Sequence, residues 1–355
     1  MIANSSLSAP GVREKRAIAT PIAGGANRFP RPLDPWRGAV KIVGFFLFVT
    51  ALAFALHAVV NHGLRQIPTS KFGAFNAIAQ GRVNAEIVIN GSSRALNHYD
   101  SRIIQKGTGH TTYNIGMNAS QIDLQHAVLK TYLKHNRRPK LVIQNLDLFS
   151  FETTQKGEIY DPAYYVPYLS ENELYDFLRT IDPGVWKWKH LPLYGYTVED
   201  MRFTWASGIL ACFGFYGPQD YFLGFNPRYQ QWTEDFSNFR DANVQGVTYR
   251  IEPRGVQALE GIIQTCRSND ISIVLVYSPE YHEMQALERN RVEIFTRYQE
   301  LCQRSQVPFW NYSDSELSRN RAFFYNSQHL NAEGAAAFSK VLAQKLVDTG
   351  LAQQP

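Results

Sequence analysis

Apolar runs punctuate this chain, two in its first half and one in its second. They fall at 87–89 (IVI), within 140–148 (KLVIQNLDL) and at 271–277 (ISIVLVY), and each stops at polar residues or a glycine. Short runs without polar alternation predict strands buried on both faces, as in a parallel sheet. Two shorter pieces of the same kind, 112–115 and 308–311, bring the strand count to five. Helical periodicity fills the intervals. Residues 120–136 place Ile122, Leu124, Val128, Leu129, Tyr132 and Leu133 on one face, and amphipathic helices are predicted over 255–267, about 284–304 and about 332–347. This rhythm predicts an α/β fold: a three-layer, doubly wound, parallel five-stranded sheet.

Two regions break the rhythm. Residues 42–60 (IVGFFLFVTALAFALHAVV) carry no formal charge. At 1.5 Å per residue they make roughly 28 Å of helix, enough to cross the hydrocarbon core. A cleaved signal peptide is the competing reading, because Ala53-Phe54-Ala55 has small-x-small form. The long basic segment ahead and the length of the apolar run favour a retained anchor, residues 39–60. Basic residues crowd before the span, so the tail is expected to stay cytoplasmic and the rest of the chain to lie outside. Residues 61–84 read as a linker. The second break is an insertion at about 149–250, rich in Tyr, Trp and Phe, expected over the carboxyl ends of the strands. Within it, residues 201–217 (MRFTWASGILACFGFYG) have three readings: buried core, which is preferred, membrane-surface contact, or a docking face. Trp186 and Trp188 alternating with Lys187 and Lys189 suit an interfacial anchor or a sugar-binding rim.

Charge changes the picture once it is located. The formal charge is +5, but residues 1–41 hold seven basic and two acidic groups. Removing these from the 36 basic and 31 acidic residues leaves 29 of each in 42–355. The folded part is therefore neutral, which excludes the footprint of a nucleic-acid binder. Residues 1–38 read as a basic, disordered cytoplasmic tail. An apolar fraction of 45% supports a real core. Cys212, Cys266 and Cys302 show no metal-type spacing, and no disulfide framework is expected. His98, His110, His126, His135, His190 and His282 lack metal-ligand spacing as well, and no Gly-rich nucleotide loop appears. No cofactor or metal is expected.

The candidate chemistry sits where the first strand ends. In AEIVINGSSRALNHY (85–99) two serines follow the strand and open a helix. Catalytic groups of open α/β sheets lie just beyond the carboxyl ends of strands, and helix N-terminal amides there can hold an oxyanion. Far downstream, FYNSQHLNAEGAAAF (324–338) places His329 in a polar loop before Leu-Asn-x-x-Gly. Together the two stretches resemble the SGNH (GDSL-type) superfamily of esterases and acyltransferases. The GSSR spelling is similar to its membrane-anchored branch, which includes proteins that O-acetylate alginate or D-alanylate teichoic acid. The resemblance covers about 85–147 and 265–348.

The resemblance implies Ser93 as nucleophile and His329 as general base, with Ser92 where the family usually has Asp. It also implies that the oxyanion is held by the Ser93 amide, the Gly116 amide and a side-chain amide of the family's third block. Here the third block reads Gln144-Asn145-Leu146-Asp147, so Asn145 is expected as that donor, with Gln144 the alternative. Asn326 stands where the family has the acid that orients the histidine. An Asn can hold imidazole in place without stabilising imidazolium, so a Ser–His dyad or a stand-in carboxylate (Asp314 or Glu316) is expected. By this resemblance the domain spanning 85–355 is an extracytoplasmic serine O-acyltransferase of a cell-surface or exported polysaccharide. Its expected partner is a multi-span membrane O-acyltransferase. A carbohydrate esterase of the same fold and a non-catalytic glycan-binding scaffold are the alternatives.

Overall fold

The computed structural model describes residues 35–197 and 203–351; residues 1–34 of the expected tail lie outside the described residues. Five strands form one parallel sheet: β1 (Ile87–Asn90), β2 (Thr112–Asn114), β3 (Leu141–Leu146), β4 (Ser272–Tyr277) and β5 (Phe309–Asn311). Their spatial order is β2-β1-β3-β4-β5. The chain leaves β1 toward one edge and returns on its other side as β3. This reversal opens a crevice at the carboxyl ends of β1 and β3, where ligands of doubly wound folds bind. Register keeps those ends level: Ile87 pairs with both Thr112 and Leu141, and Leu146 with Tyr277. Every residue of β1 and β3 is buried, which explains why their sequences do not alternate.

Each face of the sheet has its own core. Val88, Val142, Leu146 and Leu275 pack under the helices Ile122–His135, Pro253–Ser268 and Arg291–Ser305. Ile87, Ile89, Ile143, Val274 and Val276 pack on the other side, where Phe338, Leu342 and Leu346 of the closing helix Ala332–Thr349 cover them.

The polar stretch after the serines forms the helix Ser101–Thr108, whose first turn is capped by the Asp100 carboxylate accepting from Arg102 N–H. Two local expectations change. The helix expected over 284–304 is broken into His282–Gln285 and Arg291–Ser305. At the break, Val247 N–H donates to Leu287 O and Arg289 N–H donates to Val247 O, at 2.7 and 2.9 Å. The returning insertion thus takes backbone groups that a continuous helix would need. The expected linker is also folded. The first helix runs Pro35–Gln66, a second follows at Ser70–Ala79, and Val60, Leu64, Ile67, Phe75 and Ile78 are buried. Phe75 packs edge-on against Tyr165 and Tyr168 of the insertion, each ring pair 5.6 Å apart. Aromatic area supplied from residue 149 onward therefore orders a segment that reads as polar and small by itself.

The chain divides at Thr50 into two units. The described part of the first is helical, with its large apolar side chains from Trp36 to Val49 exposed. The helix Pro35–Gln66 is long and apolar enough to cross a membrane.

Gly91 joins β1 to the serines at φ +151°, and a Cβ there would lie 2.7 Å from Ala95 Cβ and 2.9 Å from Asn145 Cβ. Gly91→Ala is therefore expected to destabilise the domain by about 1–3 kcal/mol, read as a lower midpoint in denaturant unfolding.

Candidate active site

Ser93 is the first residue of the helix Ser93–His98, and its N-cap Ser92 accepts from Arg94 N–H. As the first helical residue, Ser93 has an amide without an intrahelical acceptor. His329 opens the second strand of a small antiparallel hairpin, β6 (Phe324–Asn326) and β7 (His329–Leu330), in which Asn326 pairs with His329. The hairpin was not legible as such in the sequence, which reads there as a polar loop. The two groups meet: Ser93 Oγ lies 2.8 Å from His329 Nε2 across 236 positions of chain. Both residues are half-buried, so the pair is reachable from outside.

Asn326 sets the proton arrangement. Its Oδ1 accepts from the backbone N–H of Gln328 at 3.1 Å and of His329 at 2.9 Å, and lies 3.0 Å from His329 Nδ1. An amide NH₂ cannot accept from two backbone N–H groups, so the oxygen must face the ring. Nδ1 then carries the proton, and Nε2 presents a lone pair to the Ser93 hydroxyl. This is the tautomer a general base needs. The stand-in carboxylates are not used: Asp314 and Glu316 are exposed, and neither bonds the imidazole. Burial, followed by the positive charges of Arg94 and Arg228, pushes the His329 pKa down to about 3. The imidazole is neutral throughout the ordinary pH range, and no anion favours its protonated form.

The expected oxyanion donors are placed differently. Asn145 is fully buried, its Oδ1 accepts from Tyr99 OH at 2.7 Å, and its amide donates to Leu146 O and Asp147 Oδ1. Both of its N–H groups are committed beneath the site, which corrects its expected role. Gln144 is equally occupied, with Gln125 Oε1 and Asn145 O as acceptors. The Gly116 amide donates to Asn114 Oδ1 at 2.9 Å, so it too is engaged in this structure. Among these groups the Ser93 amide is the one left without an acceptor.

A buried frame, largely invisible in the sequence, holds the two loops. Asp147 at the end of β3 accepts from Ser92 Oγ at 2.6 Å and lies 3.5 Å from Arg94 Nε. Burial pushes the Asp147 carboxyl up from its ordinary value, against the opposing pull of Arg94 and of its hydrogen bonds from Ser92 and Asn145. Arg94 also donates to the carbonyls of Ser278 and Pro279 after β4 and stacks over the Tyr277 ring at 4.4 Å. It thus ties together the carboxyl ends of β1, β3 and β4.

His98, which looks unremarkable by spacing, is buried with its Nδ1 2.9 Å from Ser278 Oγ, and its Nε2 accepts from Leu330 N–H at 3.0 Å. Burial first, then Arg94 and His329, hold its pKa well below the ordinary value, so it stays neutral. Its hydrogen bond to Leu330 fixes β7 and with it the neighbouring His329. Accordingly, His98→Ala is expected to free β7, let His329 drift from Ser93 and lower turnover by up to about 10²-fold, checked by steady-state kinetics. On the outer side, Tyr325 stacks on His329 with ring centroids 5.4 Å apart, and Arg228 of the insertion bonds Asn97 Oδ1 at 3.1 Å. No sequence signal marks Arg228, because its position depends on how the insertion folds back.

Among the described residues, no group of three or more His, Cys, Asp and Glu side chains could hold a metal ion. The three cysteines are free.

No protein-family model matches the sequence, and no curated protein matches it. Among solved structures the chain is similar to a proposed acylhydrolase from Bacteroides fragilis, with 12% identity and a TM-score of 0.36 over 79% of this chain and 94% of that one. It is similar to a GDSL-like lipase from Bacteroides thetaiotaomicron, with 11% identity and a TM-score of 0.32 over 73% and 87% of the two chains. A third likeness is to an acetyl xylan esterase from the rumen bacterium Butyrivibrio proteoclasticus, with 10% identity and a TM-score of 0.31 over 75% and 64%. At these identities and TM-scores the chemistry has to be argued from the site's own geometry.

Proposed function

We propose that this chain is an SGNH-type serine O-acyltransferase, anchored by its first helix and working outside the membrane. The observation that carries the reading is the 2.8 Å contact between Ser93 Oγ and His329 Nε2, with Nδ1 held by Asn326. In the first half-reaction Nε2 takes the hydroxyl proton as Oγ attacks the acyl carbonyl, and the Ser93 amide faces the developing oxyanion. The proton returns to the leaving group, and the acyl group remains on Ser93 as an ester. In the second half, Nε2 deprotonates an incoming hydroxyl, which attacks the ester carbonyl and frees Ser93. The acceptor is a hydroxyl of a cell-surface or exported polysaccharide, and acetyl is the acyl group of choice. The donor side is a multi-span membrane O-acyltransferase that passes the acyl group across the bilayer. The N-terminus is then cytoplasmic, with the domain outside the inner membrane.

Incubation with p-nitrophenyl acetate and an acceptor oligosaccharide tests the reading. An acetyl-Ser93 adduct by mass spectrometry and acetylated oligosaccharide are the expected products. Free acetate alone, with no acetylated sugar, would favour the esterase of the same fold. Neither adduct nor product would leave only a glycan-binding scaffold.

A further inference from the structure

The segment 203–216 contains no charged residue, and its helix Thr204–Ala211 has two unlike sides. The inner side lies against the C-terminal part of the first helix. Gly208 and Gly63 meet back to back: a Cβ on Gly63 would lie 1.7 Å from Gly208 O, and one on Gly208 would lie 2.7 Å from Val60 O. Cys212 Sγ is 3.6 Å from Val59 O, and Ala211 is buried. The outer side is open. Phe203, Phe213 and Phe215 are 79%, 73% and 67% exposed, and Leu210, Trp205 and Tyr216 are exposed as well. Apolar patches of this kind mark interaction surfaces, which corrects the preferred expectation that this segment is core.

We propose that residues 203–216 insert into the outer interfacial layer of the lipid bilayer beside the first helix, giving the domain a second membrane attachment. The inference rests on the first helix spanning the membrane, and three observations point to lipid as the occupant. The patch continues an apolar surface on the same unit, where Leu52, Phe54 and Val59 of the first helix are exposed. It sits at the level of Val59–Gly63, where the apolar run of that helix ends, which is the depth at which aromatic belts lie. The N–H groups at the end of its helix are also satisfied from within the segment. Cys212, Phe213, Gly214 and Phe215 N–H groups donate to Ile209, Leu210, Ala211 and Leu210 carbonyls, as entry into a low-polarity layer requires. Helix–helix contacts in membranes use small residues. Here the small residues face inward and large aromatic ones face out, which argues for lipid over a protein partner.

The test uses the full chain in phospholipid vesicles. A Cys212→Ala background carries an environment-sensitive fluorophore on a cysteine at one of three positions, through Phe54→Cys, Phe213→Cys or Tyr229→Cys. Shallow nitroxide-labelled lipid is expected to quench the label at 213 at least about three-fold more than the label at 229. Equal quenching at 213 and 229, with the label at 54 quenched, overturns the proposal while leaving the anchor intact. An unquenched label at 54 removes the anchor and the proposal together. Exposure of 213 in lipid vesicles with protection only in native membranes would assign the face to a protein and equally overturn it.

Discussion

Asn326→Asp is expected to accelerate acylation of Ser93 by about 10²-fold, a gain from a site that already has its parts in place. The argument turns on what Asn326 does now. In a Ser-His-Asp enzyme, replacing the Asp by Asn costs about 10⁴-fold because the amide selects the wrong tautomer. Here two backbone N–H groups turn the Asn326 oxygen toward Nδ1, so the tautomer is correct and only electrostatic stabilisation of the imidazolium is missing. A carboxylate at 326 supplies it and raises the His329 pKa from about 3 toward the ordinary histidine value. The sign for activity follows. On the proposed mechanism acylation needs neutral His329, which is protonated only as pH falls toward 3, so the native acylation rate should be level from about pH 5 to 8. The Asp variant should instead lose activity below about pH 6, near the unperturbed histidine pKa. Pre-steady-state acylation across this range, with both proteins, is the measurement. A native profile with an inflection near 6.5 would contradict the depression of the His329 pKa by burial and the two arginines.

Ser93→Ala is expected to abolish the covalent acyl-enzyme and lower turnover by about 10³-fold or more. His329→Ala should cost about as much, and the double variant should be no worse than either single one, because the two groups act as one unit. Burst kinetics with an activated ester, together with labelling by a fluorophosphonate probe, would report both effects. Additive losses would mean that Ser93 and His329 act separately, against their 2.8 Å contact.

The strand that ends at Asn90 was legible because a run buried on both faces has to be apolar throughout. The same holds for 141–143 and 273–276, and the helices between them show their period. Failures fall where backbone partners come from elsewhere. The break at 286–290 exists because Val247 pairs with 287–289, and the folded stretch 61–84 exists because Tyr164, Tyr165 and Tyr168 arrive from the insertion. Asn145 was assigned a role from its place in the third block, but its direction is set by Tyr99 and Asp147, one 46 residues before it and the other two after.

Local spelling by itself determined the five strands of the parallel sheet and the membrane-length helix and singled out Ser93 and His329 as candidates, since each depends on short-range pattern or on a compact motif. Tertiary structure alone decided which amide remains free for an oxyanion, which way Asn326 points, and that 203–216 faces outward. The reason is physical: a hydrogen-bonding group can satisfy only a few partners, and long-range folding selects which ones reach it.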